Sequence, residues 1–211
     1  MPKGLYHRTD QDGTPLAAER FSCAPGPAGW RYVSTRTDLT EPGHPHRTDL
    51  TTDAGWRTVR LEVTLGDWSI RGGCLGQRLT WVRAGTGGAA PSEHTAPAAG
   101  FTGLSPAYAV ATASRLALAP GEQATIRLVA LTEPVLAPLT RDERWELLEV
   151  ADHPTDTGPL PVERYRVTDL ATGESHQLHL AGDVLLAGPG WELTELDSPP
   201  NLSLRPAGTR R

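Results

Sequence analysis

Glycine and proline punctuate this chain throughout: 22 glycines and 19 prolines occupy about one position in five of the 211 residues. They fall between short apolar runs. Long helices do not survive such punctuation, because proline removes a backbone donor and glycine raises the entropic cost of helix. Short strands joined by turns do survive it. The chain is therefore expected to be mainly β.

The clearest strand is WRTVRLEVTL, residues 56–65. Simple alternation places Val59, Leu61, Val63 and Leu65 on one face and Trp56, Thr58, Arg60, Glu62 and Thr64 on the other. Asp53-Ala54-Gly55 forms a tight turn, so residues 46–52 can pair back as a hairpin. Strands at 68–71 and 78–83 follow, with breaks at Gly66-Asp67 and Gly72-Gly73. Residues 83–100 are small and of low complexity, which suggests a flexible surface loop or a lid. Residues 105–118 make a short helix, with Ser105 as N-cap, Pro106 as its first residue and Pro120-Gly121 as its stop. A strand over 113–118 is the alternative. A strand is expected at 122–131 and a second helix at 140–150 (TRDERWELLEV). There Thr140 and Glu143 would form a capping box, and Trp145, Leu147 and Leu148 an apolar stripe. Strands at 162–170, 174–180, 184–187 and 191–196 complete the pattern. Residues 1–45 read as a pair of strands packed onto the rest. About ten strands, one or two short helices and no βαβ alternation imply an antiparallel, strongly curved sheet, a β-roll or half-open barrel. One domain is expected over 1–198, with a flexible tail over 199–211.

The net charge of −5 and pI near 5.8 argue against a general nucleic-acid binder, which needs a basic face to displace counterions. Lys3 is the sole lysine, so the arginine excess reflects composition rather than phosphate recognition. Two cysteines, Cys23 and Cys74, are too few for a disulfide scaffold. The opening MPKGLYHRTD lacks the apolar run of an export signal, and no window has the length of a membrane span. A cytoplasmic protein with reduced thiols is the expectation.

The order of elements resembles a family of bacterial domains of unknown function that carries the name glycolipid-binding. Three segments carry the resemblance: DAGWRTVRLEV (53–63), FTGLSPAYAVATASRLALAPGEQATIRLVALTEPVLAP (101–138) and LAGDVLLAGPGWELTEL (180–196). They are similar to the family's acidic-Gly-Trp-Arg strand opening, its Phe-Thr to Gly-Glu stretch and its closing hairpin. Where the family has Asp-Gly-Cys before Phe-Thr, this chain has Ala98-Ala99-Gly100. The resemblance implies a spirally curved β-roll whose concave face is similar to that of lipoprotein carriers holding acyl chains.

The sequence has no Walker loop, GxSxG or HExxH motif, and Gly85-Thr86-Gly87-Gly88 lacks the helix and lysine of a phosphate cradle. No cofactor and no metal are assigned. His44 and His46 would need a third ligand to hold zinc, and His176 and His179 point to opposite faces of a strand. Arg57, Arg60 and Arg127 lie in strands, where a guanidinium facing a concave interior could grip an anionic head group. Arg60 with Trp56 and Thr58 makes the best polar-aromatic face for an amphipathic ligand. Asp67 beside Trp68 and Glu143 near Trp145 could each be a carboxyl raised by an apolar pocket.

The expected ligand-binding set is Trp56, Arg60, Tyr108, Arg127 and His176. The ligand would be a lipid-like or other amphipathic small molecule. Two alternatives stay open. One is a cofactor-independent enzyme using Tyr108, His176 or Asp67 in the same cavity. The other is a structural or interaction module whose interior is filled by its own side chains. A homodimer through an edge strand also stays open.

Overall fold

The computed structural model describes every residue except 11, 27, 40–42, 44–45, 87–89, 104, 157 and 205–211. The N-terminal half forms β1 (Lys3–Thr9), β2 (Pro15–Gly26), β3 (Gly29–Asp38), β4 (His46–Asp53), β5 (Thr58–Leu65), β6 (Trp68–Leu75), β7 (Arg78–Gly85) and β8 (Ser92–Ala96). β9 (Gly100–Gly103) and α1 (Pro106–Leu116) follow. The remainder forms β10 (Gln123–Thr132), β11 (Ala137–Thr155), β12 (Gly158–Asp169), β13 (Ser175–Ala181), β14 (Val184–Gly188) and β15 (Trp191–Leu196).

All fifteen strands belong to one sheet, ordered β8-β7-β6-β5-β4-β3-β2-β1-β15-β14-β13-β12-β11-β10-β9. Every neighbouring pair is antiparallel except β9 with β10, which is parallel. The ordering follows from successive hairpins within β1–β8 and within β10–β15, from the long-range pairing of β1 with β15, and from a parallel crossover through α1 that sets β9 beside β10. That crossover is the one βαβ connection among the described residues, and one the sequence reading did not expect. β8 and β9 are the two free edges, so the sheet is not closed.

The sheet buries one face in a single apolar cluster that spans both halves, including Trp30, Tyr32, Leu61, Leu79, Leu128 and Tyr165. α1 lies within this cluster, with Ala107, Tyr108, Val110, Ala111 and Ala113 buried. Its start is built as the sequence predicts: the Ser105 side chain caps Ala107 N–H, and Pro106 occupies the first turn. Its end is an αL residue, Ala117, whose N–H bonds Ala113 C=O.

Several expectations are corrected. Residues 140–150 are not a helix but the middle of β11. Glu143, Trp145 and Leu147 point inward and Arg144 outward, a period of two that the capping-box reading obscured by assigning Glu143 to the first turn of a helix. In β5 the register slips between Thr51 and Thr52, so Val59 is the extra residue of a bulge. The slip reverses the phase at the strand's start. Thr58 is buried with Leu61 and Val63, while Val59 is half exposed. Trp56 therefore does not share a face with Arg60. Gly72-Gly73 is not a break but part of β6. Cβ atoms there would run into the Thr80 and Val59 carbonyls, which explains glycine inside a strand. The 83–100 stretch holds β8, and residues 1–38 form three strands rather than two. Beyond β15, Pro200 is buried and Asn201 N–H donates to Asp183 Oδ1 at 2.7 Å, ahead of a short 3-10 turn at Leu202–Leu204.

Candidate functional site

The buried face carries an unusual number of charged groups. Glu19 on β2 is fully buried, and its Oε1 accepts hydrogen bonds from Tyr32 Oη at 2.8 Å and Ser105 Oγ at 2.7 Å. Burial pushes its carboxyl up, against the hydrogen bonds and the Arg36 charge. Asp183 accepts from Trp30 Nε1 at 3.3 Å and from the Cys23 thiol at 3.5 Å, and burial raises it as well. Both sets tie one half of the sheet order to the other. Both carboxyls are buried, Glu19 completely and Asp183 almost so.

Two of the sequence-predicted residues meet at a recess that is accessible. At the N-terminal end of α1 a cleft of about 210 Å³ lies between the helix, β11 and β12–β15. Strand register builds its floor. Trp145 pairs Val167, and Val167 pairs His176, so the three form one row across β11, β12 and β13. Leu178 and Leu185 extend the apolar wall, Tyr108 and Pro106 close the helix side, and Trp191 borders it from β15. Glu143 is the anchor on this wall. It is buried, and its Oε2 accepts a hydrogen bond from Trp145 Nε1 at 2.9 Å. Burial raises its carboxyl, opposed by the Trp145 and Thr102 hydrogen bonds and by Arg141. Arg141 lines the same cleft and pairs with Asp169 at 3.7 Å. His176 is solvent-accessible at the mouth, with its imidazole lowered by desolvation against the cleft wall.

The other predicted residues lie elsewhere. Trp56 packs in the core, its ring 5.4 Å from that of Trp30, in a turn where its own φ is 59°. The Asp53 side chain holds that turn by accepting from Gly55 and Arg57 N–H at 2.9 Å. Arg60 faces outward and pairs with Glu62 at 2.9 Å. Arg127 is exposed and clamped by Asp142 through two 2.7 Å hydrogen bonds. The space between Trp56 and Tyr108 is filled, with only about 10 Å³ left. The five residues do not line one cavity among the described residues, because Arg60 and Arg127 face outward while Trp56 and Tyr108 are buried.

Trp191 and Arg141 were not singled out from the sequence. Glu143 with Trp145 was, but on a helix, where residues two apart do not share a face. Asp67 is exposed and accepts from Thr86 Oγ1 at 2.8 Å. His44, Gly87 and Gly88 lie outside the described residues. His46 is buried, and neither ring nitrogen has a hydrogen-bond partner among the described residues. Among the described residues no group of three or more His, Cys, Asp or Glu is placed to hold a metal ion. A larger open recess of about 660 Å³ is bordered by Arg8, Arg36, Asp38 and Glu133. Four of its charges pair with one another, Arg8 and Arg36 with Glu133 and Arg36 with Asp38, while Asp67 on its border accepts from Thr86.

These features define a class of protein: mainly β, one long antiparallel-dominated open sheet, and one helix packed in its core. No family model matches the sequence, and no curated protein matches it. Among solved structures the chain is similar to the 1.80 Å crystal structure of a DUF1089 family protein (PA1994) from Pseudomonas aeruginosa, a bacterial domain of unknown function. The TM-score is 0.51 and the identity 17%, covering 82% of this chain and 89% of that chain. Identity at that level shows the fold alone. Among the described residues no helix is long and apolar enough to cross a membrane.

Proposed function

We propose that the protein binds an amphipathic small molecule in the cleft at the N-terminal end of α1. The observation that carries this reading is the buried Glu143 carboxyl, which lines the cleft together with Trp145, Val167 and Leu178. A carboxyl held toward its neutral form both donates and accepts, which suits a hydroxyl or amide on the ligand. Trp145 and Trp191 supply aromatic surface for an apolar or sugar face. Arg141 and His176 at the mouth suit the polar end. The volume of about 210 Å³ is below the range of about 300–1,000 Å³ usual for drug-sized ligands. The cleft therefore takes the head or one short arm of a molecule, not a full acyl chain. In this reading the sheet is a strongly curved, half-open roll wrapped around α1. Supporting that shape, the helix cap Ser105 reaches Glu19 on β2, and Trp30 on β3 reaches Asp183 in the β13–β14 turn, far along the sheet order.

The test titrates octyl glucoside, below its micellar concentration, against tryptophan fluorescence, beside native mass spectrometry of freshly purified protein. A saturable change in the wild type, weakened about tenfold in Trp191→Ala, is expected. A wild type that shows no saturable change and carries no co-purified molecule would overturn the reading.

A further inference from the structure

We propose that a second cleft, at the opposite end of α1, is a binding site for a phosphate group. It measures about 530 Å³ and opens where the two edges of the sheet come together, beside the 97–99 link from β8 to β9. The charged residues in its lining are all arginines: Arg57 before β5, Arg115 in the last turn of α1 and Arg127 on β10. Gln77 and Cys74 add polar groups.

Two of these arginines are compensated from outside the lining. Asp53 holds Arg57 through Nε at 2.8 Å, and Asp142 holds Arg127 through Nε and Nη2. Those contacts leave the Nη groups of Arg57 and the Nη1 of Arg127 for another acceptor. Arg115 is different. Its Nη1 is buried and meets no acceptor among the described residues. A cation in the last helical turn offsets the carbonyl end of the helix dipole. That role is served equally well with the guanidinium in water, so it does not account for a buried donor beside an accessible cleft.

The Arg115 guanidinium together with the remaining Nη donors of Arg57 and Arg127 exceeds what one carboxylate needs, since a single planar fork satisfies its two oxygens. A phosphate offers three free oxygens and a second charge. It could arrive on a soluble metabolite or on a lipid head group. The site is separate from the Glu143 cleft: the two lie at the ends of an eleven-residue helix, about 16 Å apart along its axis.

The experiment follows inorganic phosphate by thermal unfolding and by 31P NMR line width, against chloride at matched ionic strength. The wild type is expected to show a saturable rise in Tm and a broadened phosphate line. Arg115→Gln should weaken binding about tenfold or more. Arg20→Gln, an exposed β2 arginine outside the lining, should not change it. Should Arg115→Gln lose its native circular dichroism, Arg127→Gln, at an exposed position, replaces it with the same expectation. No phosphate effect beyond chloride in the wild type, or equal binding by wild type and the lining variant, would overturn the proposal. Co-sedimentation with phosphatidylcholine vesicles, with and without phosphatidic acid, then assigns the source. Retention on phosphatidic acid places the group on a lipid, and phosphate binding without retention places it on a soluble molecule.

Discussion

His46 shows how a single buried side chain couples this protein to pH. It is 2% exposed, and burial, with the nearby Arg36 charge, lowers its imidazole from 6.5 to about 3. The unfolded chain therefore binds a proton at mildly acid pH that the folded chain refuses. The stability His46 contributes is present above pH 6.5 and is lost as pH falls toward 3. Against wild type, His46→Leu should recover about 2 kcal/mol near pH 5 and nothing of this kind near pH 8, measured by urea unfolding at both values. Glu19 works in the other direction. Its raised carboxyl stabilises the fold below its unfolded value and costs stability as pH rises through the folded value. Glu19→Gln keeps an acceptor for Tyr32 and Ser105 without the charge. It should therefore lessen the loss of stability on going from pH 5 to pH 8, read from the same unfolding curves. Neither role was legible in the sequence, where His46 was weighed only as one of two histidines short of a third metal ligand and Glu19 was not singled out.

At the scale of elements, α1 was legible because its signals are local: a serine cap, a proline at the first position and a short apolar-alanine run. The structure adds a second duty for the cap, since Ser105 Oγ also donates to the buried Glu19. Ser105→Ala should thus cost more than an ordinary cap, about 2–3 kcal/mol, in chemical denaturation. β11 was misread because TRDERWELLEV satisfies both periods once Glu143 is allowed inward. Its true phase predicts that Leu147→Ala, at an inward and fully buried position, costs about 2–5 kcal/mol. Leu148→Ala, at the half-buried bulge, should cost much less. A helical stripe would make the two losses similar, so comparing their unfolding midpoints separates the assignments. Glycine inside β6 escaped the sequence reading for a related reason. The close approach of Thr80 and Val59 that demands it involves strands paired on either side.

For the whole molecule, the decisive pairing is β1 with β15, which joins the two ends of the described chain in the middle of the sheet. Side-chain bonds repeat that long-range closure: Ser105 to Glu19, Trp30 and Cys23 to Asp183, Arg8 to Glu133, and Arg83 to the Val135 carbonyl. Each crosses between the N-terminal and C-terminal halves. We therefore expect fragments 1–98 and 99–211 each to lack cooperative thermal unfolding alone, and the mixed fragments to regain it. Cooperative melting of one half by itself would contradict this.

What the sequence by itself determined is everything set by near neighbours. The β class follows from glycine and proline spacing, and the hairpin order from turns. The position and ends of α1 follow from its caps. The tertiary structure alone decided which way side chains point wherever a bulge shifts the phase, as at Val59 and Leu148, and hence that Trp56 parts from Arg60. It alone decided that α1 packs into the apolar cluster of the sheet, with a cleft at either end of the helix. The physical reason is the same in each case. A strand's face and a helix's seat are chosen by the burial available against partners distant in sequence, and that free energy exists only once the partners have met.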